Sequence, residues 1–353
     1  MVGADDYAER LRSAHLVPMW EVLRGMLPAE PRPATATHLW RHAEWHPALM
    51  EAGARVTAEQ AERRVLLLEN PAYPGEMRAT TSVHAGLQLL LPGETAQPHR
   101  HSQSALRFVV EGEGAYTAVD GVPQRMGRGD FILTPAFTWH EHSNPGMQTM
   151  VWLDGLDLPL VRLLGATYAQ FSRQHQDPLA GTTTRTAAVA LGRGLLPAAE
   201  ADHARPSSVF AYPYAEARRA LETLHSDGAL DPCHGVRLHY ADPIRGGHAM
   251  ATLAAYLQLL PAGYDGASYQ STESFVYFVL EGRGSTVVAR PEDDEHRIEW
   301  GPGDLFVLPG WAGHRHHAAE QAVLFSFSDG AAQQALGLWR ERRSSPAAEA
   351  VSE

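Results

Sequence analysis

His99 and His101 stand one residue apart, His140 follows 39 residues after His101, and His142 lies two further on. Gly93 lies six positions before His99, and Gly112 eleven after His101. This is metal-ligand spacing on short strands. Side chains two apart on a β-strand point to the same face, so His99 and His101 can hold one ion side by side. An imidazole from a distant strand then completes a facial set of three. Such a set leaves roughly half the positions of an octahedral ion open for chemistry. Three packed core histidines would not require this spacing. His142 shares a strand face with His140 but is too far along it to chelate beside its neighbour. It belongs one layer out, where it could hydrogen-bond a ligand on the ion.

The ligands need strands to carry them. From residue 79 to 155 the pattern is one of short β-runs: Leu87–Leu91, Ala105–Val110, Ala115–Val119, Phe131–Thr134 and Thr149–Leu153. Pro92-Gly93, Gly112, Gly114, Asp120-Gly121 and Gly129-Asp130 punctuate them. Closely spaced strands with turn residues between them predict a barrel or jelly roll. Before this region, residues 1–75 read as mixed and mostly helical. Thr57-Ala58-Glu59-Gln60 is a capping box opening a short helix, and Val65–Leu68 is a strand stopped by Asn70-Pro71.

An internal repeat doubles this unit. Leu87-Gln88-Leu89-Leu90 recurs at Leu257-Gln258-Leu259-Leu260, and Val109-Val110-Glu111-Gly112 at Val279-Leu280-Glu281-Gly282. Gly129-Asp130 through Thr134-Pro135 recurs at Gly303-Asp304 through Leu308-Pro309, so the second copy has a longer loop near Pro291–Arg297. The reading is mainly β. Residues 1–75 are a mixed helical region and 76–160 a metal-binding barrel. Residues 161–236 connect, 237–330 form a second barrel, and 331–353 hold a helix near Ala331–Arg342 and a disordered tail.

Composition removes several function classes. A net charge of −12 argues against nucleic acid or an anionic membrane as partner. All 29 basic residues are arginine, so lysine Schiff bases, lysine-bound pyridoxal phosphate and a Walker lysine are excluded. Cys233 is the one cysteine, which excludes internal disulfides, thiolate zinc sites and iron–sulfur sites. No apolar run approaches the ~20 residues of a membrane span. The acidic N-terminus lacks a signal-peptide core, and the expected location is the cytoplasm.

The blocks resemble the cupin superfamily. Gly93, His99, His101 and Gly112 fit its first motif, with Ala105 where that motif carries a glutamate ligand. Gly129, Pro135, His140 and Asn144 fit its second. With three histidines and no carboxylate, the chain resembles the bicupin ring-cleaving dioxygenases of gentisate, salicylate and 1-hydroxy-2-naphthoate. The supporting stretches are His99 to Phe108, Ala115 to Gly121, Trp139-His140-Glu141-His142, Trp152 to Asp157 and Phe325 to Asp329. The likeness runs from Pro18 to Arg342. It implies two tandem cupin barrels and a homotetramer. It also implies cleavage between the carboxyl- and hydroxyl-bearing carbons of a 2-hydroxybenzoate, with gentisate giving maleylpyruvate.

The residue chemistry points the same way. Three neutral imidazoles leave the ion at +2, able to accept a doubly anionic chelate and dioxygen. N/O ligation with open facial positions favours Fe(II); zinc takes the same ligands but cannot pass electrons to dioxygen. No organic cofactor is expected, since no flavin, nicotinamide or iron–sulfur motif is found. Arg107 shares odd numbering with His99 and His101, so an unbroken strand points it inward. An inward arginine needs an anion, and the substrate carboxylate is the natural partner. Gln88 alternates inward with His84 and Gly86. Arg63 and Arg64 are adjacent, so one of them can face the pocket; the resemblance favours Arg63. Asp154, two after Trp152, could orient Arg63 or read a ring substituent. His84 stands where the family carries tyrosine or tryptophan, which bears on the choice among gentisate, salicylate, 5-nitro- or 5-aminosalicylate and 1-hydroxy-2-naphthoate.

The second barrel shows Tyr269 and Ser271 at the His-x-His positions and Phe275 at the glutamate position. It keeps His314, while His316 and His317 lack the barrel spacing. A metal-free scaffold is expected there. Competing readings are a non-catalytic bicupin for sensing or storage, opposed by the intact triad beside Arg107, and a decarboxylase or isomerase, opposed by Ala105.

Overall fold

The computed structural model describes residues 4–172, 211–243, 246–289 and 295–344. It divides into two units, Met1–Arg32 and Pro33–Glu353. The first unit carries helices Ala4–Ser13 and Met19–Met26. The second holds both barrels, each a jelly-roll sandwich of two antiparallel sheets.

In the first barrel one sheet has the order Ala211–Tyr212, Phe131–Thr134, Ala105–Glu111, Met150–Leu156, His84–Leu90, Val65–Leu67. Facing it is the sheet Ala169–Phe171, Thr95–His101, His140–Ser143, Glu113–Val119, Val122–Gly127. The second barrel repeats the plan. One of its sheets runs His38–Trp40, Leu305–Leu308, Phe275–Glu281, Ala322–Ser328, Ala254–Leu260, Val236–His239.

The strands Ala105–Glu111 and Met150–Leu156 are apolar on both faces because both faces are covered. Residues of one parity look into their own barrel, where Leu90, Val109, Ile132, Met150 and Trp152 cluster. Those of the other parity pack against the second barrel: Leu87, Leu106, Phe108 and Leu153 share one core with Leu257, Val276, Phe278, Phe325 and Phe327. The Phe108 and Phe325 rings stack at 3.9 Å. Gly155 permits this approach, since a Cβ there would sit 2.5 Å from the Phe327 ring.

The N-terminal segment does more than precede the barrels. Its capping box forms at Thr57 and opens the single turn Ala58–Ala61. Its strand His38–Trp40 pairs with Leu305–Leu308 of the second barrel, while Val65–Leu67 pairs with His84–Leu90 of the first. At the other end, the helix expected to reach Arg342 stops at Ala335. Gly337, with φ of 69°, turns the chain, and Glu341–Arg343 then pairs as a strand with Tyr269–Ser271. A run of helix-favouring Ala, Gln and Leu is overridden by that open strand edge. The expected disordered tail and most of the longer loop near Pro291 lie outside the described residues, as does much of the connecting segment.

Candidate active site and metal centre

His99 and His101 close the strand Thr95–His101, and His140 opens the adjacent strand, directly opposite His99 in register. The three imidazoles offer nitrogens that all lie within 4.8 Å of one another. Ring centroids are 3.9 Å apart for His99 and His140, 4.9 Å for His101 and His140, and 5.2 Å for His99 and His101. Backbone carbonyls hold two of the rings. His101 Nδ1 donates to Gln103 O at 2.8 Å and His140 Nδ1 to Thr138 O at 3.1 Å. Those bonds place the proton on Nδ1 and leave Nε2 as a bare lone pair. His140 Nε2 is buried with no hydrogen-bond partner. Burial keeps the rings neutral, with His101 pushed down to about 4 and His140 well below the ordinary range. Neutral imidazoles with converging nitrogens, that of His140 buried and unpartnered, fit a metal ion. Among the described residues no other group of His, Cys, Asp or Glu converges in this way.

Arg107 reaches the site by a different route from the unbroken strand expected. Ser102-Gln103-Ser104 carry the chain across to the facing sheet, so Arg107 points inward from the opposite wall. It is 4% exposed. Its Nε lies 3.4 Å from Asp154 Oδ1, its partner in register, and Nη1 donates to Thr134 Oγ1. Asp154 therefore pairs with Arg107 rather than with Arg63, and it also accepts from Trp152 Nε1 at 3.2 Å. Burial raises its carboxyl to about 6, against the pull of the two arginines.

Of the adjacent arginines, Arg64 is bound to both oxygens of Glu94 at 2.8 and 2.7 Å and to Val56 O. Arg63 turns the other way and meets His99 Nδ1 and Gln97 O. Burial, reinforced by Arg107, lowers it to about 10. Two guanidiniums thus stand beside the triad, Arg107 in contact with Asp154 and Arg63 in the wider fields of Asp154 and Glu62, a setting suited to an anionic ligand.

His142 is fully buried, with its ring 5.9 Å from that of His140. Thr117 Oγ1 donates to Met126 Sδ at 3.2 Å and stands 2.8 Å from His142 Nδ1. Thr117 thus holds the His142 ring at Nδ1, and His142 Nε2 is left buried and without a hydrogen-bond partner. Gln88 is buried opposite Trp152 in register. His84 opens the same strand, its Nδ1 held by Met77 O at 2.7 Å. Gly86 makes room for a neighbour: a Cβ there would meet Val65 Cγ1 at 2.7 Å.

Thr117, Thr134 and Phe171 were not anticipated. The two threonines are polar positions within apolar runs, a visible signal. Phe171 stacks on His99 with centroids 6.1 Å apart from the edge strand Ala169–Phe171. That strand lies in the connecting segment, where no pattern marks it.

Residues 86–156, which span the triad, match the cupin domain model. The chain is 43% identical to gentisate 1,2 dioxygenase 1 of Aquipseudomonas alcaligenes, with 96% of each chain covered. The chain belongs to the gentisate 1,2-dioxygenase family. It is 35% identical to 5-aminosalicylate 1,2-dioxygenase of a Comamonas species, over 96% of this chain and 90% of the relative. Its fold matches salicylate 1,2-dioxygenase from Pseudoaminobacter salicylatoxidans, solved as adducts with gentisate, with a TM-score of 0.86, 33% identity and 96% and 93% coverage. The protein is a cupin ring-cleaving dioxygenase, an oxidoreductase. No helix among the described residues is long and apolar enough to cross a membrane.

Proposed function

We propose that this enzyme uses Fe(II) to open the ring of a 2-hydroxybenzoate between its carboxyl- and hydroxyl-bearing carbons, with gentisate, yielding maleylpyruvate, as the preferred substrate. The observation that carries this reading is the three-imidazole cluster lying beside Arg63 and the buried Arg107, the latter paired with Asp154. A neutral ligand set under excess positive charge suits a chelating dianion. His99, His101 and His140 would hold the iron, which supplies reductive activation of dioxygen beside an electron-rich ring.

The remaining residues act on the substrate. Arg107 and Arg63 take its carboxylate, with Thr134 and Asp154 fixing the Arg107 plane. His142, its ring held by Thr117, would hydrogen-bond a substrate oxygen through Nε2. Trp152 and Gln88 back the pocket. Both oxygen atoms end in the ring-opened product, so no external reductant is consumed. The electron-donating 5-hydroxyl makes gentisate the easiest of the candidate rings to oxidise, and the 43% identical relative bears that name. His84, where the family carries an aromatic, shapes the choice of ring substituent.

Oxygen uptake by Fe(II)-reconstituted enzyme tests the reading. The panel is gentisate, salicylate, 5-nitrosalicylate, 5-aminosalicylate and 1-hydroxy-2-naphthoate. Gentisate should turn over fastest, at about one dioxygen per ring. A faster rate with another member moves the substrate assignment to that compound. Silence across the panel with iron bound removes it.

A further inference from the structure

The second barrel repeats the layout around the inward histidines. His314 sits where the first barrel has His140, and His316 occupies the place of His142, opposite Thr286 as His142 is opposite Thr117. His316 therefore does have barrel spacing, contrary to the sequence reading; His317 does not, and pairs outward with Asp265. Both threonine hydroxyls stand 2.8 Å from the Nδ1 of their histidine. Both histidines keep Nε2 buried without a hydrogen-bond partner.

The two threonines differ in a third neighbour. Met126 lies three residues before Gly129-Asp130 and Trp300 three before Gly303-Asp304, so they occupy one position of the repeat. Met126 is opposite Ala115 in register and Trp300 is opposite Gly284, in each case two residues before the threonine. The first barrel offers an acceptor there: Thr117 donates to Met126 Sδ at 3.2 Å. The second offers a donor: Trp300 Nε1 donates to Thr286 Oγ1 at 2.9 Å.

A hydroxyl has one hydrogen to give, and a neutral imidazole has one, on either nitrogen. Thr117, His142, Thr286 and His316 are all fully buried, so the tautomer follows from which hydrogens find acceptors. In the first barrel a hydrogen on His142 Nδ1 goes to Thr117, and the threonine's own hydrogen goes to Met126. That makes two bonds head to tail and leaves no buried donor over. A hydrogen on His142 Nε2 would instead leave that N–H without an acceptor, the costlier choice. The thioether is a weak acceptor, but it is what frees the threonine oxygen to receive. In the second barrel the indole already donates to Thr286. The head-to-tail chain there runs the other way, from Trp300 through the threonine hydrogen to His316 Nδ1. His316 then carries its hydrogen on Nε2.

We infer that Met126 and Thr117 are positioning residues of the ring-cleaving site. They keep the hydrogen of His142 on Nδ1, so that Nε2 receives a hydrogen bond from the hydroxyl of a bound 2-hydroxybenzoate rather than giving one. The identity of that partner rests on the function proposed above. The tautomer does not, and it is read without substrate.

Nitrogen NMR of the histidine rings in zinc-loaded, diamagnetic enzyme tests this, each signal being identified by its loss when that histidine is replaced by glutamine. Wild-type His142 should show a protonated Nδ1 and a bare Nε2, and His316 the reverse. Met126→Leu keeps the volume but removes the acceptor. It should move the His142 hydrogen to Nε2 and leave His316 unchanged. In the Fe(II) enzyme, Thr117→Val should lower kcat with gentisate by about tenfold or more, with the metal content unchanged. Thr117→Ser, which keeps the hydroxyl, should restore most of that loss. Melting curves establish that each variant is folded, and Met126→Leu keeps the test alive if the valine variant is not. A wild-type His142 with its hydrogen on Nε2 overturns the inference. So does a Met126→Leu enzyme in which both the tautomer and the rate stay as they were. Silence of the wild-type enzyme across the substrate panel would remove the partner but not the tautomer assignment, which the spectra decide alone.

Discussion

Where the first barrel carries Arg107, Asp154 and Thr134, the second has Tyr277, Ser326 and Leu308 in the same registers. Where the first pairs His99 with His140 across two strands, the second pairs Tyr269 with His314. Yet the Thr–His pair persists in both, at 2.8 Å each time. The turn before the inward histidine persists too, with Phe137 and Trp311 at φ of 63° and 59°. Presence in both copies does not decide a residue's role, since His140 has a counterpart in His314 and His142 one in His316. What distinguishes the first barrel is His99, His101 and the Arg–Asp–Thr set, which put two further imidazoles and a buried cation around the shared histidine. A buried histidine held by a threonine therefore does not by itself mark an active site; what surrounds its free nitrogen does.

The largest effect should come from breaking the triad. His140→Ala should abolish metal retention and lower oxygen uptake with gentisate by on the order of 10³-fold or more, read by metal analysis and an oxygen electrode. Retained iron and activity would show that the two barrels do not differ where they are thought to. The converse experiment builds the difference into the second barrel. Tyr269→His with Ser271→His should complete a triad with His314 and raise bound metal from about one to about two ions per chain. An unchanged ratio would mean that spacing alone does not make the site.

Arg107→Gln should come next. Removing one partner of a buried charge-assisted contact costs about 2–5 kcal/mol, which should appear in kcat/KM with the iron content unchanged. A loss of iron instead would make Arg107 a support for the triad. The smallest effect is one of pH. With its carboxyl raised to about 6, Asp154 is ionised above that value and aligns Arg107. As pH falls through about 6 it takes a proton and the alignment weakens, so kcat/KM should fall by up to about tenfold per unit. Asp154→Asn should flatten that acid limb and leave a lower rate throughout. A limb that survives the substitution belongs to another group.

Much of this site was legible before any coordinates. The strand period put His99 and His101 on one face, and the repeat identified Tyr269 and Ser271 as the vacated positions. Both rest on local spacing, which alternation along a strand makes readable. Arg107 points inward, as alternation predicts, but from the facing sheet, to which the turn at Ser102–Ser104 carries it. Asp154 lies in the field of Arg63, as expected, but its direct contact is with Arg107, which only the cross-strand register reveals. His316 has barrel spacing after all, since strand alternation continues past His314 and puts it opposite Thr286.

By itself the sequence determined which three histidines converge, that Ala105 brings no carboxylate to them, the doubled barrel and the exclusion of lysine chemistry. Residue type and short-range period carry that information. Tertiary structure alone decided that Arg64 is tied to Glu94 and Arg63 is not, that Phe171 covers His99, and that N-terminal strands extend both barrels. These outcomes depend on which distant strands become neighbours, and burial then makes each unmatched polar group count.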